Sequence, residues 1–96
     1  MLLGSKTHTV GDTRRWTVDY DEWLDNTALV RACVVTSSST TCTIGTGVLA
    51  PVLLGRHIQF WLIGGALNEQ PTVTVIMTDN LGNIKNDTIA FTVITP

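Results

Sequence analysis

Apolar and polar residues alternate along much of this chain, and the alternation marks strands. The clearest run is Thr72 to Thr78, where Val73, Val75 and Met77 alternate with Thr72, Thr74 and Thr78, and Ile76 is the one exception. Period two puts one set on a buried face and the other on a wet face. Pro71 stands at the start, where a missing N–H does least harm. Asp79-Asn80-Leu81-Gly82-Asn83 follows, with the residue types of a turn. A second run, Thr88 to Thr95, turns Ile89, Phe91 and Val93 one way and Thr88 and Thr92 the other. Together they predict a C-terminal hairpin whose inner face is Val73, Val75, Met77, Ile89, Phe91 and Val93.

Other segments fill in the pattern. Arg15 to Tyr20 alternates Trp16, Val18 and Tyr20 against Arg15, Thr17 and Asp19, an early strand. Asp21 to Asn26 breaks the alternation and predicts a short helical turn near residues 21–26, or a tight loop, with Trp23-Leu24 plugging one end of the core. Leu29 to Thr36 is apolar on both faces except for Arg31, and Cys42-Thr43-Ile44 is a short returning strand. Thr46 to Leu54 is interrupted by Gly47 and Pro51, with Gly55 just beyond, and predicts only short pieces. His57 to Ile63 is apolar on both faces. Ile58, Phe60 and Leu62 are expected in the core, which leaves Trp61 and Ile63 outside beside Gln59. The sum is about seven strands with turns every 8–12 residues, an all-β antiparallel sandwich. At the front, Met1, Leu2 and Leu3 precede Gly4, Ser5 and polar Thr7 to Thr9. That pattern predicts an extended arm over residues 1–10, His8 included, that orders on a neighbour, ahead of a single domain over 11–96.

Composition narrows the class. Ninety-six residues allow one domain. A chain that is 44% apolar and 15% charged is not disordered in type. Sixteen threonines suit strands better than helices. A net charge of −2 without a basic cluster gives no reason to expect nucleic acid. No apolar run approaches the roughly 18 residues of a membrane span, and the first residues lack the pattern of a secretory signal. The expectation is synthesis in a cytosol, with export only inside a larger particle. So little charge also leaves a surface suited to assembly with copies of itself or with other proteins.

Reactive chemistry is sparse. Cys33 and Cys42 have neither C-x-x-C spacing nor neighbouring histidines, so free, partly buried thiols are expected rather than zinc ligands or a disulfide. His8 and His57 have no local metal-ligand partner, and Ser37-Ser38-Ser39 is a plain polar loop without a nucleophile elbow. The acidic cluster Asp19, Asp21, Glu22 and Asp25 lacks the glycine and distal glutamate of an EF-hand loop, and Arg14 and Arg15 can balance it. We therefore expect no catalytic residue, no cofactor and no metal. The candidate functional residues are interface anchors: Met1, Leu2 and Leu3 on the arm, and Trp61 and Ile63 on the two-faced strand.

Two stretches carry a family resemblance. Pro71 to Asn83, running into Asp87 to Val93, resembles the last hairpin of bacterial and phage immunoglobulin-like domains. Gly11 to Leu24 is similar to the opening of small immunoglobulin-like virion proteins of tailed bacteriophages, of the fibre–tail adaptor, minor structural or decoration type. Trp16 stands at that pattern's first aromatic, and Asp21 stands where a serine is common. The resemblance implies an immunoglobulin-like sandwich serving as a non-enzymatic subunit of a tailed-phage virion. Such a subunit docks on capsid, neck, tail or fibre proteins as an adaptor or decoration protein, in multiple copies, without nucleic acid or membrane. The alternative is an immunoglobulin-like module that binds carbohydrate or a cell surface, using Trp61 or Trp23 with the Ser37 to Thr41 loop.

Overall fold

A computed structural model describes residues 2–24 and 27–95, the side chains of Leu2 and Leu3 excepted. The alternating segments become strands in chain order: β1 (Leu2–Thr9), β2 (Thr13–Asp19), β3 (Val30–Ser37), β4 (Cys42–Ile44), β5 (Val52–Leu54), β6 (His57–Gly64), β7 (Thr72–Asp79) and β8 (Ile84–Ile94). One sheet has the order β1-β8-β7-β3, and the other has β2-β6-β4 with β5 also on β6. β4 pairs with the end of β6 and β5 with its start, so the two act as one interrupted strand on the same side. All neighbours are antiparallel except β1, which runs parallel to β8. The order matches that of an immunoglobulin-like sandwich, in which consecutive strands cross repeatedly between sheets.

The core lies between the sheets where the alternation puts it. Ile58, Phe60 and Leu62 of β6 are fully buried, as are Val73, Val75 and Met77 of β7 and Val93 of β8. Phe91 is buried with them and meets Trp16 edge-on, ring centroids 5.0 Å apart at 70°. An edge-to-face pair adds to what burial alone supplies. The hairpin is as expected, with Val73 paired to Ile89, and β8 begins earlier than the pattern suggested, at Ile84. Its inward row therefore includes Asp87, which is buried and ion-paired with Lys85 at 3.0 Å.

Three expectations differ from the structure. Residues 2–9 do not extend as an arm; they form β1, laid against β8 from Ser5–Ala90 to Thr9–Ile94. His8 is fully buried there, with Nε2 3.0 Å from the Gly64 carbonyl and 3.1 Å from that of Asp12. Two acceptors facing one nitrogen assign the proton to Nε2. The strand leaves no alternating signal in the sequence because β1's inward row, Gly4, Lys6 and His8, carries no apolar side chain. Second, of the helical turn or tight loop expected after β2, the structure forms a hydrogen-bonded turn: the Tyr20 carbonyl accepts from the N–H groups of Trp23 and Leu24 at 3.0 and 2.9 Å. Asp25 and Asn26 lie outside the described residues. Among the described residues a 3₁₀ turn forms at Gly47–Leu49, between β4 and β5. Third, the strand count is eight among the described residues, because β1 joins those expected and β5 resolves out of the broken 46–54 stretch.

Gly64 and Gly65 end β6 with φ values of 83° and 114°, the left-handed side that glycine alone takes readily. A Cβ on Gly64 would stand 2.7 Å from the Thr41 carbonyl oxygen, and one on Gly65 3.1 Å from a Val93 methyl. Space and conformation both require glycine there.

Two outcomes test this packing. Phe91→Ala should destabilise the domain by about 3–5 kcal/mol, a large share of a small domain's total. An unchanged denaturation midpoint would contradict the face assignment. Deleting residues 1–10 should lower the melting temperature, since it removes β1 and the buried His8; a truncated chain that melts like the full one would show that β1 contributes nothing to the fold.

Candidate docking surface

The alternation that buries Ile58, Phe60 and Leu62 turns His57, Gln59, Trp61 and Ile63 to the outside of the β2-β6 sheet. Register supplies their neighbours. Arg15 lies opposite Trp61, Thr13 and Thr43 flank Ile63, and Asp19 and Leu54 flank His57. Val52 lies opposite Gln59, and both Val52 (44% exposed) and Leu54 (45%) are open to solvent. At the level of Trp61 the partner strand is interrupted: the Gly45 N–H reaches the Trp61 carbonyl at 2.8 Å, and the 3₁₀ turn that follows brings Leu49 against Gly45 and leaves Val48 98% exposed. Trp61 and Ile63 are half-buried. The result is an apolar strip with Arg15, Asp19 and His57 along one side.

Of the other expected anchors, Leu2 and Leu3 open β1, and Met1 lies outside the described residues. Val48, Val52 and Leu54 were not singled out from sequence. The signal was present in the apolar triplet Val52-Leu53-Leu54 before Gly55, which forms a tight hairpin into β6.

The remaining polar groups are committed to holding loops. Arg56, in the β5–β6 turn, is the hub. Its Nε pairs with Asp21 Oδ1 at 2.5 Å, Nη1 donates to the Ala28 carbonyl at 2.8 Å, and Nη2 donates to the carbonyls of Asp21 and Leu24 at 2.9 and 3.2 Å. A planar guanidinium is suited to several acceptors at once. Arg56, not Arg14 or Arg15, thus balances the acidic segment, while Arg14 lies over the Trp16 ring at 4.6 Å. Asp19 is 3.4 Å from His57 Nε2 and also accepts from the Asp21 N–H. No group of three or more metal-ligating side chains occurs among the described residues.

At one end of the sandwich Glu69 accepts from the Ser39 and Thr41 hydroxyls and the Ala66 N–H. These bonds, the Ser39 hydroxyl's first, hold its carboxyl below the ordinary range. At the other end Asp79 organises the β7–β8 turn. Burial pushes its carboxyl up, but the Asn83 side chain and the N–H groups of Asn83, Leu81 and Gly82 outweigh that and leave it lowered. A cleft of about 400 Å³ opens beside it, lined by Trp23, Asp79, Asn83 and Ile84. Trp23 therefore sits at the Asp79 end of β7, and the Ser37 to Thr41 loop at the Val73 end. The two cannot form one sugar site. Cys33 and Cys42 are both free, and burial raises both thiols, which keeps them protonated. Burial first, and the Asp87 charge second, raise the Tyr20 phenol far above its usual value.

The chain is a small two-sheet sandwich whose Arg56, Glu69 and Asp79 side chains are tied into its loops. Residues 8–92 match the family described as podophage GP4 fiber-tail adaptor protein gp77. The chain belongs to that family and is a structural component of a phage virion. No curated protein matches it. A 2,6-sialyltransferase from Vibrionaceae Photobacterium sp. JT-ISH-224, solved with CMP and lactose, aligns with a TM-score of 0.65 at 8% identity, over 100% of this chain and 18% of that chain. The chain thus spans under a fifth of that enzyme, and the likeness is one of fold alone.

Asp79 gives a pH test. A carboxyl lowered on folding stabilises the fold above its ordinary value of about 3.9, and that contribution is lost as pH falls through the folded value. Asp79→Asn should be less stable than wild type at neutral pH, with the gap narrowing below about pH 4. A gap of constant size across acid titration would show that the charge is not involved.

Proposed function

We propose that the chain is a non-enzymatic adaptor subunit that docks on tail or fibre proteins through the outer face of the β2-β6 sheet, with Trp61 and Ile63 as its anchors. It is made in the host cytoplasm and carried in the particle in multiple copies. The observation that carries the reading is the family match over residues 8–92. The surface is chosen on its chemistry. Aromatic and aliphatic side chains anchor protein interfaces, and a charged rim sets orientation. Trp61 and Ile63 with Val52 and Leu54 supply the first, and Arg15, Asp19 and His57 supply the second. The family's description favours the tail and fibre over a head decoration role.

Trp61→Ala tests it, with melting and binding measured side by side. The expected variant melts close to wild type but binds the partner tail or fibre protein about 2 kcal/mol more weakly, roughly thirtyfold. A variant that melts lower and binds normally would assign Trp61 to the fold and remove it as an anchor.

A further inference from the structure

A sandwich of two open sheets has four edges, and each edge strand presents a row of unpaired backbone groups that natural chains blunt. Three edges here carry such devices. β1 has Lys6 and a register shift between Leu2 and Ser5, where Gly4 has φ 135°. β2 carries Arg14 and Arg15 side by side. The third edge is broken into β4 and β5, three residues each, with the 3₁₀ turn and Pro51 between them.

β3 differs. Among the described residues it pairs with β7 alone. Its ends are tied across to the other sheet, by the Val30 N–H on the Gly55 carbonyl at 2.8 Å and the Ser37 hydroxyl on the Cys42 carbonyl at 2.6 Å. Its one irregularity lies at the start, between Val30 and Ala32, next to its one charge, Arg31. From Ala32 to Ser37 it is regular, uncharged and free of glycine and proline, and Val34 at its centre is 57% exposed.

A second observation concerns the face that continues from it. Outward rows run from Val34 to Ile76 and Asn86, and from Thr36 to Thr74 and Thr88. Apart from Arg31, exposed at the irregular start of β3, every outward position of β3, β7, β8 and the paired part of β1 is Thr, Ser, Ala, Val, Ile or Asn.

We propose that β3 is a self-association edge, pairing antiparallel with β3 of a second copy across a two-fold axis near Val34 and joining two four-stranded sheets into one. The occupant follows from self-complementarity. In that register Val34 meets Val34, Ala32 meets Thr36 and Arg31 meets Ser37, so no like charges stand opposed. The two outer faces then merge into one larger surface whose charge is confined to the two Arg31 side chains. A two-fold contact uses the edge on both copies and closes at two, which removes the open edge without propagating a fibre. The proposal does not depend on where Trp61 docks.

Sedimentation of the full chain over concentrations up to about 1 mM reads it directly. Wild type should dimerise, and Val34→Lys should weaken the dimer at least about tenfold while Val34→Thr retains it. Thr36→Lys, on the same exposed edge, is the second variant should Val34→Lys fail to fold. A wild type that stays monomeric, or a dimer equally strong in the folded lysine variant, overturns the proposal. So does a monomeric wild type whose lysine variant loses only tail or fibre binding, since the edge would then belong to a partner's strand.

Discussion

Strict alternation along β6, β7 and β8 is the constraint on which the rest depends. It sets Ile58, Phe60, Leu62, Val73, Val75, Met77, Ile89, Phe91 and Val93 between the sheets as the centre of the core. The same geometry leaves no choice about the other side. If Phe60 and Leu62 point in, Trp61 and Ile63 point out, and Ile76 and Ile84 follow for the opposite sheet. A one-residue slip would exchange the two sets and destroy both. Core and candidate docking surfaces are therefore specified together.

A chain of this length buries a modest fraction of its surface, and its apolar seam is confined to the middle of the sandwich. The ends are held by polar tethers instead. Arg56 gathers the crossover between β2 and β3, joined there by the exchange of bonds between Leu29 and Asn80. His8 pins β1 to the Asp12 and Gly64 carbonyls on the opposite sheet. Glu69 ties the β6–β7 connection to the Ser39 to Thr41 loop. The part-buried bonds among them, such as Arg56 to the Ala28 and Leu24 carbonyls and His8 to those of Asp12 and Gly64, satisfy acceptors that would be costly to leave unpaired. These are the protein's most chemically suggestive side chains, and each is occupied with architecture.

What the sequence disclosed follows the same division. β2, β6, β7 and β8 were legible because each buries one face against the opposite sheet, and Trp61 was legible as the residue such a face must exclude. β1 was not, since an edge strand held by backbone pairing and one buried histidine leaves no period-two apolar signal. β5 is too short to show a period. The Arg56 hub joins residues 28 to 35 positions apart, and spacing along the chain says nothing about such partners. Asp87 could have been found: it continues the inward series of Ile89, Phe91 and Val93 by two residues, and its pairing with Lys85 explains why a charge is tolerated there.

The two outer faces differ in charge, and that difference bears on how a small adaptor discriminates between contacts. The face around Trp61 has Arg15, Asp19 and His57 within its rows, so a partner must match charges of both signs in fixed places. That requirement rejects surfaces that fail to match, because an unpaired charge carried into a contact costs several kilocalories per mole in general. The face that continues from β3 makes no such demand. Its rows are β-branched and carry no charge beyond Arg31. With the sheets back to back, the outer face of the β2-β6 sheet and the β3 edge of the other sheet lie in different layers, about 10 Å apart, so a contact on one does not occupy the other.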